Sequence, residues 1–416
     1  MPRVLLLLPA AGYRNEDFLS AAQKLGVEVV AAADYCHRLA PLMGMSPIFS
    51  LPFDQPEIAA RQVLVSLGRR VDAVLAVDDH GLELAALLRE ELGLRGNPPQ
   101  AVHATRDKLA FRELLKTHGF NCPNFRAAMS EADALALARS LRYPVVVKAR
   151  RLSASRGVVR ADDAASFVRA VAQVRRIQAS ADREASELGV IVEDFISGGE
   201  YALEGLLEQG ELRVLALFDK PDPLNGPYFE ETVYVTPSRL PANKQAAIAA
   251  EVQRACALAV LASGAVHAEM RVDEQGIWLL EVAARSIGGL CGRMLDHRLG
   301  VSLEELILRH ELGMPAPSTS SDEAAGVMMI PVPGCGIFQG ATGLPAAHAV
   351  PGVSDIRITA QQGQIVAPPP EGSGYLGFIF SRAAAPEAAE AALRAAHAKL
   401  AFEIQSNLPL IRACAQ

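Results

Sequence analysis

Short apolar runs alternate with amphipathic stretches through the first hundred residues. Val4–Leu8, Val27–Ala32 and Ala73–Val77 read as buried strands. Phe18–Leu25, Glu57–Leu67 and Gly81–Leu92 carry apolar residues at helical spacing. Gly26 and Gly93 stand just past two of these helices, where a left-handed residue ends a helix well. Alternation of this kind predicts a parallel, Rossmann-like sheet. No G-x-G-x-x-G follows the first strand, so the dinucleotide fingerprint is missing. "NPPQ" at 97–100 marks a boundary.

From Thr105 the pattern changes. "TRDKLAFRELLKTHG" predicts a helix with Thr105 as its N-cap and Gly119 as its C-cap. "YPVVVKARR" predicts a strand beginning after Pro144. "GVIVEDFISGGEYALEGLLEQGELRVLALFDK" predicts a strand, a turn, and a hairpin around Gly210. A helix over about 243–263 precedes "VHAEMRVDEQGIWLLEVAARSIGG" (Val266–Gly289), which reads as two strands and a turn. Another helix spans about Ser302–Leu312, and residues 313–326 have the composition of a linker. Beyond them "GVMMIPV" and "YLGFIFS" are strand-like. "APEAAEAALRAAHAKLAF" predicts a helix with Ala385 at the cap and Pro386 first inside it. The fold class that follows is multidomain, α/β and α+β. Residues 1–103 are expected to form a Rossmann-like domain, and 327–416 a small α+β domain.

Composition narrows the function. With 416 residues the chain exceeds one core, so two to four domains are expected. A net charge of −7 argues against a nucleic-acid surface but leaves a phosphate ligand open. No apolar run is long enough to span a bilayer, and the opening "MPRVLLLLPAAGYRNEDF" runs into a strand–loop–helix pattern rather than ending as a signal peptide. The six cysteines (Cys36, Cys122, Cys256, Cys291, Cys335, Cys414) form no C-x-x-C pair, which suits reduced thiols in the cytoplasm.

Four places set ionisable groups in apolar surroundings. Lys108 lies in the first turn of its helix, where the macrodipole disfavours a cation, so it reaches either into water or to an anion. Lys148 ends a buried strand, and the small residues from Ser153 through Ser155 to Gly157 follow. Such a loop brings backbone N–H groups close to phosphate oxygens, although a plain hairpin with a snorkelling lysine has the same sequence. "VIVEDFISGGE" either forms one wall of an adenine slot, with Glu200 near a ribose, or is a solvated strand end. The last place is the stretch Val266–Gly289. A three-residue turn, Glu274-Gln275-Gly276, sets Asp273 opposite Ile277 and therefore Glu269 opposite Glu281. Alternation then puts Ala268, Met270, Val272, Trp278, Leu280 and Val282 on an apolar face. His267, Glu269, Arg271, Leu279, Glu281 and Arg285 take the other face, and His267 is assigned no role. Facing carboxylates have Cβ atoms roughly 5 Å apart and repel. Either a divalent cation such as Mg2+ relieves them, or Arg271 or Arg285 neutralises them as an ion network.

Taken in order, these residues resemble the ATP-grasp superfamily over roughly 70–312. The ordered set is Lys108 in "TRDK", Lys148 in "PVVVK", the loop with Gly157, "EDFI" followed by Glu200, Lys220 in "FDKP", then Glu269, Glu281 and Arg285. "FDKPDPLNGPYFEETVYVTPSRLP" and the tail "GYLGFIFSRAAAPEAAEAALRAAHAKLAFEI" are similar to bacterial L-amino-acid ligases among the carboxylate–amine ligases. The resemblance implies an ATP-grasp small subdomain at 104–189, a large subdomain with the metal site at 190–312, and ATP with Mg2+ (or Mn2+) as cofactors. It implies that Lys108 and Lys148 hold the phosphates, with Ser153, Ser155 and Gly157 in the covering loop. Glu193 and Ile196 would read adenine through the backbone, Glu200 would bind ribose and Lys220 would meet the γ-phosphate. Glu269 and Glu281 would hold the metal. Arg285, Ser286, Gly288 and Gly289 would hold the substrate carboxylate or acyl phosphate. The implied activity is ADP-forming ligation of two small metabolites, amino acids first among them. A purine-pathway or other carboxylate substrate and a non-catalytic ATP-binding protein are the alternatives. Implied partners are small molecules and, as often in the superfamily, a second copy of the chain, with no nucleic acid and no membrane. Two departures stand out. Ala283 replaces a common metal-binding Asn, and Ala149-Arg150-Arg151 follows the strand lysine where Pro is frequent.

Overall fold

The computed structural model describes residues 1–9, 12–34, 48–181, 185–317, 321–372 and 374–406. The N-terminal sheet has four parallel strands, β1 (Arg3–Leu8), β2 (Glu28–Ala33), β3 (Ile48–Ser50) and β4 (Ala73–Ala76), in the order β3-β2-β1-β4. Helices α1 (Asn15–Lys24), α2 (Pro56–Ser66) and α3 (Leu82–Leu92) cover it. The run of leucines in β1 is buried on both faces. Leu5 and Leu7 join a core with α2 and α3, while Val4, Leu6 and Leu8 join one that continues into the rest of the molecule. Each such side chain contributes about 1.5–3 kcal/mol by burial.

Two helices follow, α4 (Pro99–Arg106) and α5 (Lys108–Thr117). "NPPQ" therefore opens a helix, with Pro99 in the first turn, where its missing N–H costs nothing. The expected cap at Thr105 is corrected. Thr105 lies near the end of α4 and donates to the Ala101 and Val102 carbonyls. Asp107 caps α5 instead, accepting from the Leu109 N–H at 3.0 Å. A smaller antiparallel sheet comprises β5 (Phe125–Ala128), β6 (Val145–Ala149), β7 (Val158–Ala161) and β8 (Val190–Asp194), in the order β5-β8-β6-β7, backed by α6 (Glu131–Ala138) and α7 (Ala164–Ala181).

The large sheet begins with β9 (Gly199–Glu208), β10 (Glu211–Lys220) and β11 (Val233–Thr236). Helix α8 (Ala242–Leu258) ends earlier than expected, because Val260 turns left-handed with φ +58°. β12 (Gly264–Asp273) and β13 (Gly276–Ala283) follow, then α9 (Asp296–Leu299) and α10 (Leu303–Glu311). The remaining elements are β14 (Ala324–Ile330), β15 (Gly336–Thr342), α11 (Leu344–His348), β16 (Val353–Ile358), β17 (Ile365–Val366), β18 (Gly377–Ala383), α12 (Pro386–His397) and β19 (Ala401–Gln405). Eight strands form one sheet in the order β13-β12-β9-β10-β11-β14-β18-β16. Ala324–Gly326, expected in a linker, are thus strand residues within that sheet. Cys122, Cys256 and Cys291 are free thiols, but Cys335 is disulfide-bonded, so the expectation of reduced cysteines throughout is also corrected.

Ion pairs, one of them buried, staple the N-terminal domain to the large sheet's helices. Arg14 Nε meets Glu304 at 3.0 Å and Arg293 meets Asp17 at 2.6 Å. Beside them, burial and the Glu304 and Asp17 charges push the Asp296 carboxyl up to about 7. An ordinary aspartate titrates near 3.9. The folded protein therefore holds a proton that the unfolded chain releases across that interval, and this group's contribution to stability falls as pH rises through it. Asp296→Asn should remove that dependence. Urea denaturation at about pH 5 and about pH 8 checks it, with the wild type losing more stability between the two than the variant.

Candidate active site

The hairpin β12–β13 sets a pair of facing carboxylates. Its turn has two residues, not three, since Asp273 pairs with Gly276. The register then shifts at a bulge between Glu269 and Met270, where Leu280 is the extra residue, and Glu269 comes to face Glu281. The expected pairing is right, but its derivation is corrected, and so is part of the face assignment. Leu279 points into the core at 1 % exposure, while Leu280 lines the cavity. Neither Arg271 nor Arg285 neutralises the pair directly. Lys220 meets Glu269 at 3.1 Å, and Lys108 meets Glu281 at 3.4 Å.

The lysines reach this floor from different elements. Lys108 is the first residue of α5, and its Nζ also donates to the Leu152 carbonyl at 2.7 Å. Its N–H donates to the Arg150 carbonyl at 3.0 Å, and the Arg150 guanidinium grips Asp107. Arg150 thus clamps the start of α5 to the loop after β6, whereas Arg151 lines the cavity. In that loop Ala154 and Ser155 both have φ of +54°, uncommon for residues with side chains and frequent at functional sites. Gly157 is not among the residues lining the site's cavity. A Cβ there would lie 2.9 Å from the Ala149 side chain, so glycine is required by close packing.

Lys148 is buried at the end of β6 and meets Glu193 at 2.6 Å. Glu193 in turn meets the fully buried Arg112 of α5 at 2.8 Å. Burial raises the Glu193 carboxyl, but the Arg112 and Lys148 charges outweigh it and hold it down at about 2. The carboxylate is therefore an internal counter-ion as well as a cavity-lining group. The Ile196 carbonyl accepts from Arg271 at 2.6 Å, and Glu200 is held between Lys220 and Arg271, each at 3.0 Å.

Lys220 does not line the cavity. It lies beneath Glu200, Glu231 and Glu269, bonded to all three, and their charges raise its pKa well above the usual lysine range despite burial. Glu231 is a residue that sequence reading missed. One carboxylate oxygen from each of Glu200, Glu231 and Glu269 lies within 4.8 Å of the others. Burial and the Glu269 charge lift Glu231 to about 7, while Lys220 and His267 hold Glu269 well below the usual carboxylate range. Arg285 pairs with Asp79 at 2.8 Å, bringing the end of the N-terminal sheet into the site. Asp79 was also missed, although it follows β4 at the carboxyl end of a parallel strand, where such sheets place ligands. Gly288 and Gly289 line the cavity, and Ser286 is buried behind them.

Lys108, Lys148, Glu200, Glu231, Glu269, Glu281 and Arg285 line one cavity of about 810 Å3, which also reaches Tyr13, Tyr234 and Tyr375. Among the described residues, no helix is long and apolar enough to cross a membrane.

Comparison with known proteins places the chain's segments among known domains. Residues 141–294 match the ATP-grasp domain, and residues 328–405 match the L-amino acid ligase C-terminal domain 2. Carnosine synthase 1 of Gallus gallus is 28 % identical over 351 residues, covering 78 % of this chain and 37 % of that protein. Alanine--anticapsin ligase of Bacillus subtilis is 25 % identical over 308 residues, covering 69 % of this chain and 64 % of that protein. The chain therefore spans less than two thirds of either relative. The crystal structure of L-amino acid ligase from Bacillus licheniformis superposes with a TM-score of 0.81 at 28 % identity, over 98 % of this chain and 99 % of that one. N5-carboxyaminoimidazole ribonucleotide synthetase from Thermotoga maritima, at 16 % identity and TM-score 0.71 over 97 % of this chain, shares the fold alone. Residues 141–294 thus form an ATP-grasp domain, and the segment that matches the L-amino acid ligase C-terminal domain 2 completes the large sheet.

Proposed function

We propose that the protein is an ADP-forming ligase that joins two amino acids, or closely similar small metabolites, through an amide bond. The observation that carries this reading is the convergence of Lys108, Lys148, Glu269, Glu281 and Arg285 on one cavity, in a chain whose C-terminal part matches an amino acid ligase domain. A substrate carboxylate oxygen attacks the γ-phosphorus of ATP, and the bond to the bridging oxygen breaks to release ADP. The amine then attacks the acyl carbon and phosphate leaves. Positioning and charge neutralisation suffice for such a transfer. Lys108 and Lys148 hold phosphate oxygens, and the 153–157 loop covers them. Arg285 holds the carboxylate against the phosphate, with Asp79 fixing the guanidinium.

The donor set suits a hard divalent ion. Glu269 and Glu281 are opposed, partly exposed to the cavity and supplemented by Glu231 and Glu200, while Ala283, opposite His267, offers no ligand. Mg2+ takes one or two carboxylates and completes its shell with waters and phosphate, and Mn2+ suits the same oxygens. When bound it neutralises the charge on the transferring phosphate.

ADP formation screened over pairs of amino acids tests the proposal. Release that requires both partners supports it. Nucleotide binding without release under any pair favours a non-catalytic ATP-binding protein, and release with another carboxylate only favours a different ligase. A cytoplasmic setting rests on the scattered cysteines and a homodimer on the family resemblance, and the sedimentation mass checks the dimer.

A further inference from the structure

Glu204 has no part in the reading above, yet it is a fully buried carboxylate in the middle of the large sheet. Cross-strand register pairs it with His267, and alternation along β12 puts His267 and Glu269 on one face. One Glu204 oxygen accepts from the Ile287 N–H at 2.9 Å and meets His267 Nδ1 at 3.1 Å. His267 Nε2 lies 3.4 Å from Glu269. Resting on the metal and substrate roles proposed above, we propose that Glu204 is a positioning residue that sets the metal-facing carboxylate Glu269, through His267, and the substrate-facing turn 286–289 at once.

A buried carboxylate needs partners, and a core ion pair would satisfy that need with His267 alone. What separates Glu204 from such a pair is where its partners lead. The imidazole passes the contact to Glu269, as carboxylate–histidine pairs do behind metal ligands. The Ile287 amide belongs to the turn that presents Gly288 and Gly289 to the cavity. The other side of that residue is fixed too, since the Ile287 carbonyl accepts from Arg14 at 2.9 Å, and Arg14 is anchored on Glu304. The turn is thus held between a carboxylate of the large sheet and a guanidinium of the N-terminal domain. Because one oxygen serves both His267 and Ile287, a shift of Glu204 moves the two halves of the site together.

Two variants test this, Glu204→Gln and His267→Gln, each as the full chain. Binding of Mn2+ in the presence of ADP, followed by the electron paramagnetic resonance signal of free Mn2+, reads the metal side without turnover. Both variants should weaken Mn2+ binding about tenfold or more. Amide formed per ADP released reads the turn. It should fall in Glu204→Gln but not in His267→Gln, which leaves the bond to the Ile287 N–H intact. Wild-type Mn2+ binding in both variants overturns the proposal, as does an unchanged amide-to-ADP ratio in Glu204→Gln. If Glu204→Gln does not fold, His267→Gln decides on Mn2+ binding alone. If the wild type binds no Mn2+ with ADP, the proposed nucleotide site itself fails and this inference falls with it.

Discussion

Replacing Arg285 with methionine is expected to lower kcat about 10³-fold while nucleotide binding stays near wild type. The guanidinium lies at the cavity wall between Asp79 and the Ser286 carbonyl, its Nε donating to Asp79 at 2.8 Å. Its pKa is raised, because the Asp79 and Glu281 charges outweigh burial, so it is a fixed positive charge at every working pH. Methionine keeps the stem and removes the charge. The loss should appear in kcat, since charge on the transferring group develops at the transition state. Removing Arg285 also leaves Asp79 with only the Arg106 charge and the Ser153 hydrogen bond, a cost of about 1–3 kcal/mol. The double variant Arg285→Met with Asp79→Asn separates the effects. It should recover stability in a denaturant titration and recover no activity.

Glu281→Gln is the second large effect. Turnover should fall by about 10²-fold or more with the fold intact. The substitution is isosteric, the side chain is about a quarter exposed, and its ion-pair partner Lys108 keeps its bond to the Leu152 carbonyl. A stability change within about 1 kcal/mol is therefore expected. ADP release measured over a range of Mg2+ concentrations, with a melting curve alongside, checks both parts. Full activity at ordinary Mg2+ would remove Glu281 from the metal assignment.

Much of this site was legible because its elements obey local rules. β1, β2 and β4 are short apolar runs between capped helices, and β6 announces Lys148 at its end. The facing glutamates were reached by counting outward from a turn, and there two deviations cancelled: a turn one residue shorter than expected and a bulge at Leu280. The register survived while Leu279 and Leu280 exchanged faces. What stayed hidden has a common cause. Glu231, Asp79, Arg112 and Glu204 matter through distant partners, such as Glu269 for Glu231, Glu193 for Arg112, His267 for Glu204 and Arg285 for Asp79. No local period encodes such pairs. Lys220 shows the converse. Its motif pointed to a phosphate, and the fold surrounds it with three carboxylates.

Isotope transfer decides whether a carboxylate oxygen attacks the γ-phosphorus of ATP. An amino acid labelled with 18O in its carboxylate is incubated with ATP, Mg2+, an amine partner and the protein, and the released phosphate is analysed by mass spectrometry. Transfer through an acyl phosphate carries one substrate oxygen into each phosphate released with an amide, so singly labelled phosphate should match the amide formed. Amide formation with unlabelled phosphate, or with the label in AMP, would rule out transfer through an acyl phosphate.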